Sequence, residues 1–319
     1  MKFSLKITFS IAFLLPCLLS LLHASYPVDT IEEGFREQHT TALTIAGSDS
    51  SGGAGIQADL KTFSALRCYG MSVITALTAQ NTQGVQAIQS LLAEFIQSQM
   101  QSVFNDIEVN AMKVGMLERR EIIETVATFL RGFQNARNIV IDPVMFSKTG
   151  HLLLAEDAVE ALKQLIIPLA TILTPNTHEA AKLLGISIRN EEEMQEAALS
   201  LLALGPQAVI VKGGSCSPGN DCLVIKGMKD PLWIRGPAIS TTHVHGTGCS
   251  FSAAITSYLA QGEDVLTAVQ KAKDYINGAI ADGSYYQLGK GVGPVNHFYA
   301  AWPYQHFIMV PGNWTAKQV

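Results

Sequence analysis

From about Thr41 onward the chain alternates short β-branched runs with stretches of helical spacing, and no other feature restricts its fold as strongly. "ALTIAG" (42–47) reads as a strand, the Gly/Ser-rich "SDSSGGAG" as a turn, and Ile56 to Leu66 as a helix. The order recurs, with "MSVITALTAQ", "NAMKVG", "NIVID", "ATILTP" and "AVIVKGG" as strands and helices over 93–105, 119–131, 156–166, 177–184 and 191–204. Residues 222–235 read as a hairpin of two short strands, followed by helices over "GTGCSFSAAITSYLAQG" and 264–281. Apolar strands separated by helices belong to βαβ units, which build a mostly parallel sheet covered on both faces. The expectation is one α/β domain over 41–302, between an N-terminal extension (1–40) and a C-terminal tail (303–319). Ligands of such sheets sit outside the carboxyl ends of the strands, so the strand-ending motifs carry the functional argument.

Charge and cysteine usage narrow the classes. A formal net charge of −5 argues against a nucleic-acid binder, which is usually basic. Cys17, Cys68, Cys216, Cys222 and Cys249 are odd in number and lack zinc-ligand spacing, so reduced thiols are expected. The N-terminus pulls the other way. Lys2 and Lys6 precede an apolar stretch from Ile7 to Leu22, the pattern of a secretory signal or a marginal membrane anchor. A translated upstream extension reads equally well, because Leu22 is large for a cleavage site near Ala24.

Four strand-ending motifs can carry chemistry. "GSDSSGGAG" follows the first strand but lacks both the dinucleotide spacing and the lysine of a P-loop, so a Rossmann oxidoreductase is weakly supported. In "TPNTHE", Asn176 and Glu179 lie three apart at a helix start, which suits Mg²⁺ held through waters beside a phosphate chain. The same pair also reads as an N-cap with a first-turn carboxylate. In "VIVKGG", Lys212 closes a buried strand, where it either neutralises a phosphate or simply reaches water. In "HVHGTGCSFSAAI", Gly246, Thr247 and Gly248 precede a helix, so backbone N–H groups can collect around an anion such as a transferring phosphoryl group. Cys249 falls in the first turn of that helix, where the dipole is expected to lower its thiol pKa and make it a base; otherwise it is a small buried hydrophobe. His243 and His245 have unsuitable spacing for a metal pair and are read as positioning or structural residues.

The ordered set of motifs resembles the hydroxymethylpyrimidine/phosphomethylpyrimidine kinase family of the ribokinase-like superfamily. The likeness runs through "ALTIAGSDSSGGAGIQADLKTFSALRCYGMSVITALTAQNTQGVQ", "KVGML", "VIDPVM", "LTPNTHEAAKLL", "VIVKGG", "THVHGTGCSFSAAI" and "GKGVGPVNHF". It implies a three-layer fold and a kinase that uses ATP and Mg²⁺ to phosphorylate 4-amino-5-hydroxymethyl-2-methylpyrimidine, then its monophosphate, for thiamine biosynthesis. It further implies that Gln80 contacts the pyrimidine, that Gly47, Asp59, Met116 and Val144 line or border its pocket, and that Asn176 and Glu179 form the Mg²⁺/phosphate motif. Lys212 is then the phosphate lysine, Gly246 to Gly248 the anion hole, and Cys249 stands where sugar kinases carry an aspartate base. The expected partners are the aminopyrimidine and ATP, with no nucleic acid, and the expected assembly is a homodimer. A cytoplasmic location is expected, with membrane association conceivable through residues 7–22. The alternatives are a pyridoxal or pyridoxine kinase of the same superfamily and, if the N-terminal signal acts, a non-catalytic pyrimidine-binding protein.

Overall fold

A computed structural model describes residues 38–133 and 138–302; the apolar stretch over 7–22 and the tail from 303 onward lie outside them. The described residues from His39 onward belong to one compact unit. Its strands are β1 (Thr41–Asp49), β2 (Tyr69–Asn81), β3 (Gly84–Ser90), β4 (Ala111–Val114), β5 (Ile139–Ile141), β6 (Ile172–Leu173), β7 (Ala208–Lys212), β8 (Asn220–Ile225) and β9 (Leu232–Arg235). They form one nine-stranded sheet in the order β3-β2-β1-β4-β5-β6-β7-β8-β9. The six strands from β2 to β7 run parallel. β3 pairs antiparallel with β2 at one edge, and β8 and β9 extend the other edge antiparallel.

The described helices are α1 (Gly55–Ala65), α2 (Ala93–Phe104), α3 (Arg120–Gly132), α4 (Ala158–Ala161), α5 (Thr177–Leu184), α6 (Glu191–Leu202), α7 (Thr247–Ala260) and α8 (Val265–Gly283). Strand alternation explains why both faces are covered. Leu43, Ile45, Met112, Val114, Ile139, Ile141, Leu173, Val209 and Val211 enter one core, while their neighbours Ala111, Val140, Ile172, Ala208 and Ile210 enter a second with α7 and α8. α7 is buried nearly all round, which its Ser, Ala and Thr side chains permit by letting neighbouring elements approach.

Two elements depart from expectation. β3 was not expected as a strand; "GVQAIQS" is an edge strand with no buried residue, so it carries no alternation to read. The helix expected over 156–166 keeps one α turn and continues as a π turn (Leu162–Ile166) and a 3-10 turn (Ile167–Leu169), where Pro168 withholds an N–H from the ladder.

The compact unit that begins at His39 holds all nine described strands. Deleting residues 1–37 should therefore leave a cooperative thermal transition, followed by circular dichroism. A shortened chain with no transition would show that the segment packs into the domain.

Candidate active site

A cavity of about 1040 Å³ opens at the carboxyl ends of the parallel strands, beside the starts of α5 and α7. Between β1 and β4 the chain changes the direction in which it adds strands, so the cavity spans the topological switch point. Every parallel strand from β1 to β7 delivers a polar group to this edge, and their pairing is specific.

Lys113, the penultimate residue of β4, is fully buried. Thr44 and Lys113 are direct partners in the β1/β4 register, and alternation turns both away from the Leu43/Ile45 core towards α1. There Asp59 meets them: its Oδ1 accepts from Lys113 Nζ at 2.6 Å and its Oδ2 from Thr44 Oγ1 at 2.6 Å. Asp59 therefore stands one residue behind the cavity wall, its carboxylate taken up by Lys113, which lines the cavity. Burial pushes the Asp59 carboxyl up against the pull of Lys113, while burial of the ammonium is outweighed by Asp59, which holds Lys113 firmly charged.

Asp142, just past β5, is a residue the sequence reading did not single out. Its Oδ1 accepts from Lys212 Nζ at 3.0 Å and from Thr174 Oγ1 at 3.3 Å, and its Oδ2 accepts from Ser252 Oγ of α7 at 3.1 Å. Burial alone would raise its pKa, but Lys212 and Lys113 lower it below the ordinary carboxylate range. A carboxylate ending the apolar run "NIVID" was the available signal. Lys212 ends β7 as expected, and a Cβ at Gly248 would stand 3.3 Å from its Nζ. Glycine at 248 thus lets the start of α7 approach the lysine.

Gly246 caps α7 at φ +81°, and a Cβ there would lie 1.8 Å from the Gly53 carbonyl oxygen, so only glycine fits. No side chain caps α7, leaving its positive end to the cavity; the Thr247 hydroxyl donates to the Val244 carbonyl at 2.8 Å. Cys249 occupies the first turn, but the expected lowering of its thiol pKa is not found. Burial pushes the thiol up to about 11; Lys113 pulls it down, while Asp59 and Asp142 oppose ionisation. Desolvation outweighs the helix dipole here, and the resting thiol is protonated at neutral pH.

Asn176 and Glu179 form a reciprocal capping box on α5: Asn176 Oδ1 accepts from Glu179 N–H at 2.9 Å, and Glu179 Oε2 accepts from Asn176 N–H at 2.8 Å. Both still line the cavity beside Lys212. Burial raises the Glu179 carboxyl to about 7, with the Asp142 charge adding to the rise and Lys212 opposing it. Among the described residues no group of three His, Cys, Asp or Glu side chains could enclose a metal. The hard oxygens of Asp142, Asn176 and Glu179 nevertheless suit Mg²⁺, which keeps several waters and arrives on phosphates.

On the opposite side, Gly47 and Met116 press together, since a Cβ at Gly47 would meet Met116 Sδ at 2.9 Å. Met116 packs with Ala76, Leu153 and Val144 into a small apolar wall. Above it, His245 Nε2 lies 2.8 Å from Asp49 Oδ2. That bond needs the proton on Nε2, so Gln80 Nε2, 3.5 Å from the same nitrogen, finds no acceptor there. Thr78 has one hydroxyl proton for both the Ser48 carbonyl (2.9 Å) and Gln80 Oε1 (3.1 Å). The Gln80 amide thus keeps donor and acceptor capacity for a ligand. Asp49 also accepts N–H groups of Ser51, Gly53 and Ala54, which folds the glycine-rich turn around its carboxylate. His243 Nδ1 lies 3.2 Å from Thr241 Oγ1, so each histidine ring is held by a neighbouring side chain.

A family model described as phosphomethylpyrimidine kinase matches residues 49–296. A hydroxymethylpyrimidine/phosphomethylpyrimidine kinase of Rhizobium meliloti is 48% identical over 264 residues, covering 82% of this chain and 98% of the relative. The crystal structure of a phosphomethylpyrimidine kinase from Clostridium difficile is similar at 47% identity and TM-score 0.67, covering 75% of this chain and 99% of that one. An ADP complex of Bacillus subtilis pyridoxal kinase is similar at 38% identity and TM-score 0.74, covering 82% of this chain and 98% of that one.

Burial would raise the Asp49 carboxyl, but hydrogen bonds from His245 and Ser51 outweigh it and hold the pKa down at about 2. A depressed carboxylate stabilises the fold above its unfolded pKa near 4, and that contribution, about 2 kcal/mol, is lost as pH falls from about 4 to 2. The stability gap between wild type and Asp49→Asn, read by urea unfolding, should shrink through that window. A gap constant down to pH 2 would refute the depressed Asp49 carboxylate.

Proposed function

The chain belongs to the phosphomethylpyrimidine kinase family, and from that premise we propose that it uses ATP to phosphorylate 4-amino-5-hydroxymethyl-2-methylpyrimidine and then its monophosphate, for thiamine biosynthesis. The observation that carries this reading is one cavity in which Lys212, the uncapped start of α7 and the partly satisfied amide of Gln80 face the same space. The first two suit a phosphate chain, and the amide suits a ring nitrogen beside an exocyclic amine.

The substrate hydroxyl oxygen attacks the γ-phosphorus, the bond to the β-bridging oxygen breaks, and ADP leaves with that electron pair. Lys212 and the N–H groups from Gly246 to Gly248 hold the transferring phosphoryl oxygens, whose charge grows in a loose transition state. Asp142 and Ser252 orient Lys212 and the start of α7 relative to each other. Gln80 turns the ring so that the hydroxymethyl arm points along the cavity, against the wall of Gly47, Met116 and Val144. Asn176, Glu179 and Asp142 would hold Mg²⁺ through water, where it would neutralise phosphate charge.

The pyridoxal kinase likeness keeps one alternative substrate in view. We assign the enzyme to the cytoplasm, where ATP is supplied. A homodimer is consistent with the outer edge of β3, which pairs with no other strand among the described residues. ADP release should be measured with the aminopyrimidine, its monophosphate and pyridoxal in parallel. Turnover of the first two supports the assignment, and turnover of pyridoxal alone overturns it.

Discrimination rests on Gln80. Pyridoxal carries a phenolic oxygen where the aminopyrimidine has an amine, and leaving the amide unpaired costs about 1–3 kcal/mol, or roughly ten- to a hundred-fold. Gln80→Leu should compress the ratio of the two kcat/KM values by that factor; an unchanged ratio would remove Gln80 from recognition.

Cys249 is proposed as base for the alcohol step alone, since the monophosphate, with a second pKa near 6, is already ionised. Because its thiol sits at about 11, the active thiolate grows with pH across the whole neutral range. Wild-type kcat for the alcohol should therefore climb with pH, and Cys249→Ala should lower it by about tenfold or more and flatten that climb. The monophosphate step should be spared, whereas Gly248→Val, crowding Lys212, should damage both. Equal losses on both substrates, or parallel pH profiles, would exclude the base.

A further inference from the structure

Four lysines line the cavity: Lys113, Lys148, Lys212 and Lys273. Three have carboxylate partners, Lys113 with Asp59 at 2.6 Å, Lys212 with Asp142 at 3.0 Å and Lys273 with Asp221 at 2.6 Å. Lys148 has no hydrogen bond or ion pair among the described residues. It rides on a tight turn in which Ser147 N–H donates to the His151 carbonyl at 2.8 Å and Gly150 N–H to the Ser147 carbonyl at 2.9 Å. The base of this turn is fixed to the substrate wall, because Leu153 N–H donates to the Met145 carbonyl at 2.8 Å and Val144 and Leu153 pack with Met116. Its tip leans on the β2–β3 connection, where a Cβ at Gly84 would stand 3.4 Å from Thr149 Oγ1. Lys148 is therefore carried between the apolar substrate wall and the phosphate end of the cavity. Partial burial, together with the like charge of Lys212, lowers the pKa of its ammonium, and Glu179 opposes this.

The two proposed steps differ in charge. The first brings a neutral alcohol to ATP. The second brings a phosphate monoester, close to a dianion at neutral pH, whose oxygen attacks the γ-phosphorus while ADP departs with the bridging electron pair; no proton must be removed. Two anions must then approach each other, and the second step needs a cation that the first does not. Lys113 and Lys273 already answer carboxylates, and Lys212, paired with Asp142, is taken up by the transferring phosphoryl group in both steps.

We propose that Lys148 is the cation that binds the phosphate of the monophosphate substrate, and so the residue that equips one cavity for two successive phosphorylations. The proposal rests on the kinase reading above. An ammonium–phosphate bond at a cavity rim gives about a ten- to hundred-fold effect.

ADP release by the full chain should be measured with the alcohol and with the monophosphate for wild type, Lys148→Met and Lys148→Arg. In Lys148→Met the ratio of kcat/KM for the monophosphate to that for the alcohol should fall ten- to a hundred-fold, mainly through KM. Lys148→Arg should restore most of it. Titration calorimetry without ATP should report the same loss in affinity for the monophosphate. An equal loss on both substrates would mean that Lys148 serves ATP, and no loss on either that it is a solvated rim lysine; both outcomes overturn the proposal. Wild type inactive on both substrates would instead bring down the kinase reading, and this inference with it.

Discussion

Under the floor of the cavity an ammonium and a carboxylate, neither exposed to water, stand 2.6 Å apart. Removing each from water costs several kcal/mol, and their attraction repays it only with close geometry and further hydrogen bonds. Thr44 supplies one such bond, and the parallel register of β1 with β4 puts it beside Lys113. The pair therefore locks α1 to two central strands at the switch point, and deleting either partner would strand a buried charge. It also fixes the electrostatic setting of Cys249, because a lysine answered by its own carboxylate does less to draw a proton from a neighbouring thiol.

The phosphate end is arranged around a second pair, Lys212 with Asp142, which water reaches slightly. Asp142 ties a strand end to α7 through Ser252, so lysine and helix start are held by one carboxylate. On the proposed kinase reading, a phosphate entering here would compete with Asp142 for Lys212 and gain the backbone donors of α7 at the same time. Gly248 matters to this arrangement for its missing side chain, since the approach of helix to lysine leaves no room for a Cβ without displacement.

Much of the sheet is legible in the sequence because parallel strands buried on both faces announce themselves as β-branched runs. β3 is not legible, since an exposed edge strand has no buried face to impose a period. Lys212 and Gly246 to Gly248 can be located from strand and helix ends, and the same reasoning applied to "NAMKVG" and "NIVID" would have found Lys113 and Asp142. Their partners are another matter. That Asp59 answers Lys113, or Asp49 answers His245, depends on register and on helix placement, which pair residues 54 and 196 positions apart. The rise of the Cys249 thiol escapes the sequence for a related reason: the dipole is local and visible in the chain, whereas desolvation belongs to the assembled fold.

Asn176 and Glu179 illustrate how a structural and a functional reading of the same residues can both hold. The capping box fixes the Glu179 rotamer by binding one carboxylate oxygen to backbone N–H, which any helix start of this sequence would favour. The fold then buries that carboxyl near Asp142 and raises it to about 7, far above a cap in water. Burial thus makes proton loss from Glu179 harder than from an ordinary carboxyl. Fresh positive charge in the cavity would draw the proton off, and fresh negative charge would keep it on. The cap thus presents to the phosphate end a carboxyl whose ionisation answers to what is bound there, which a surface N-cap of the same sequence could not do.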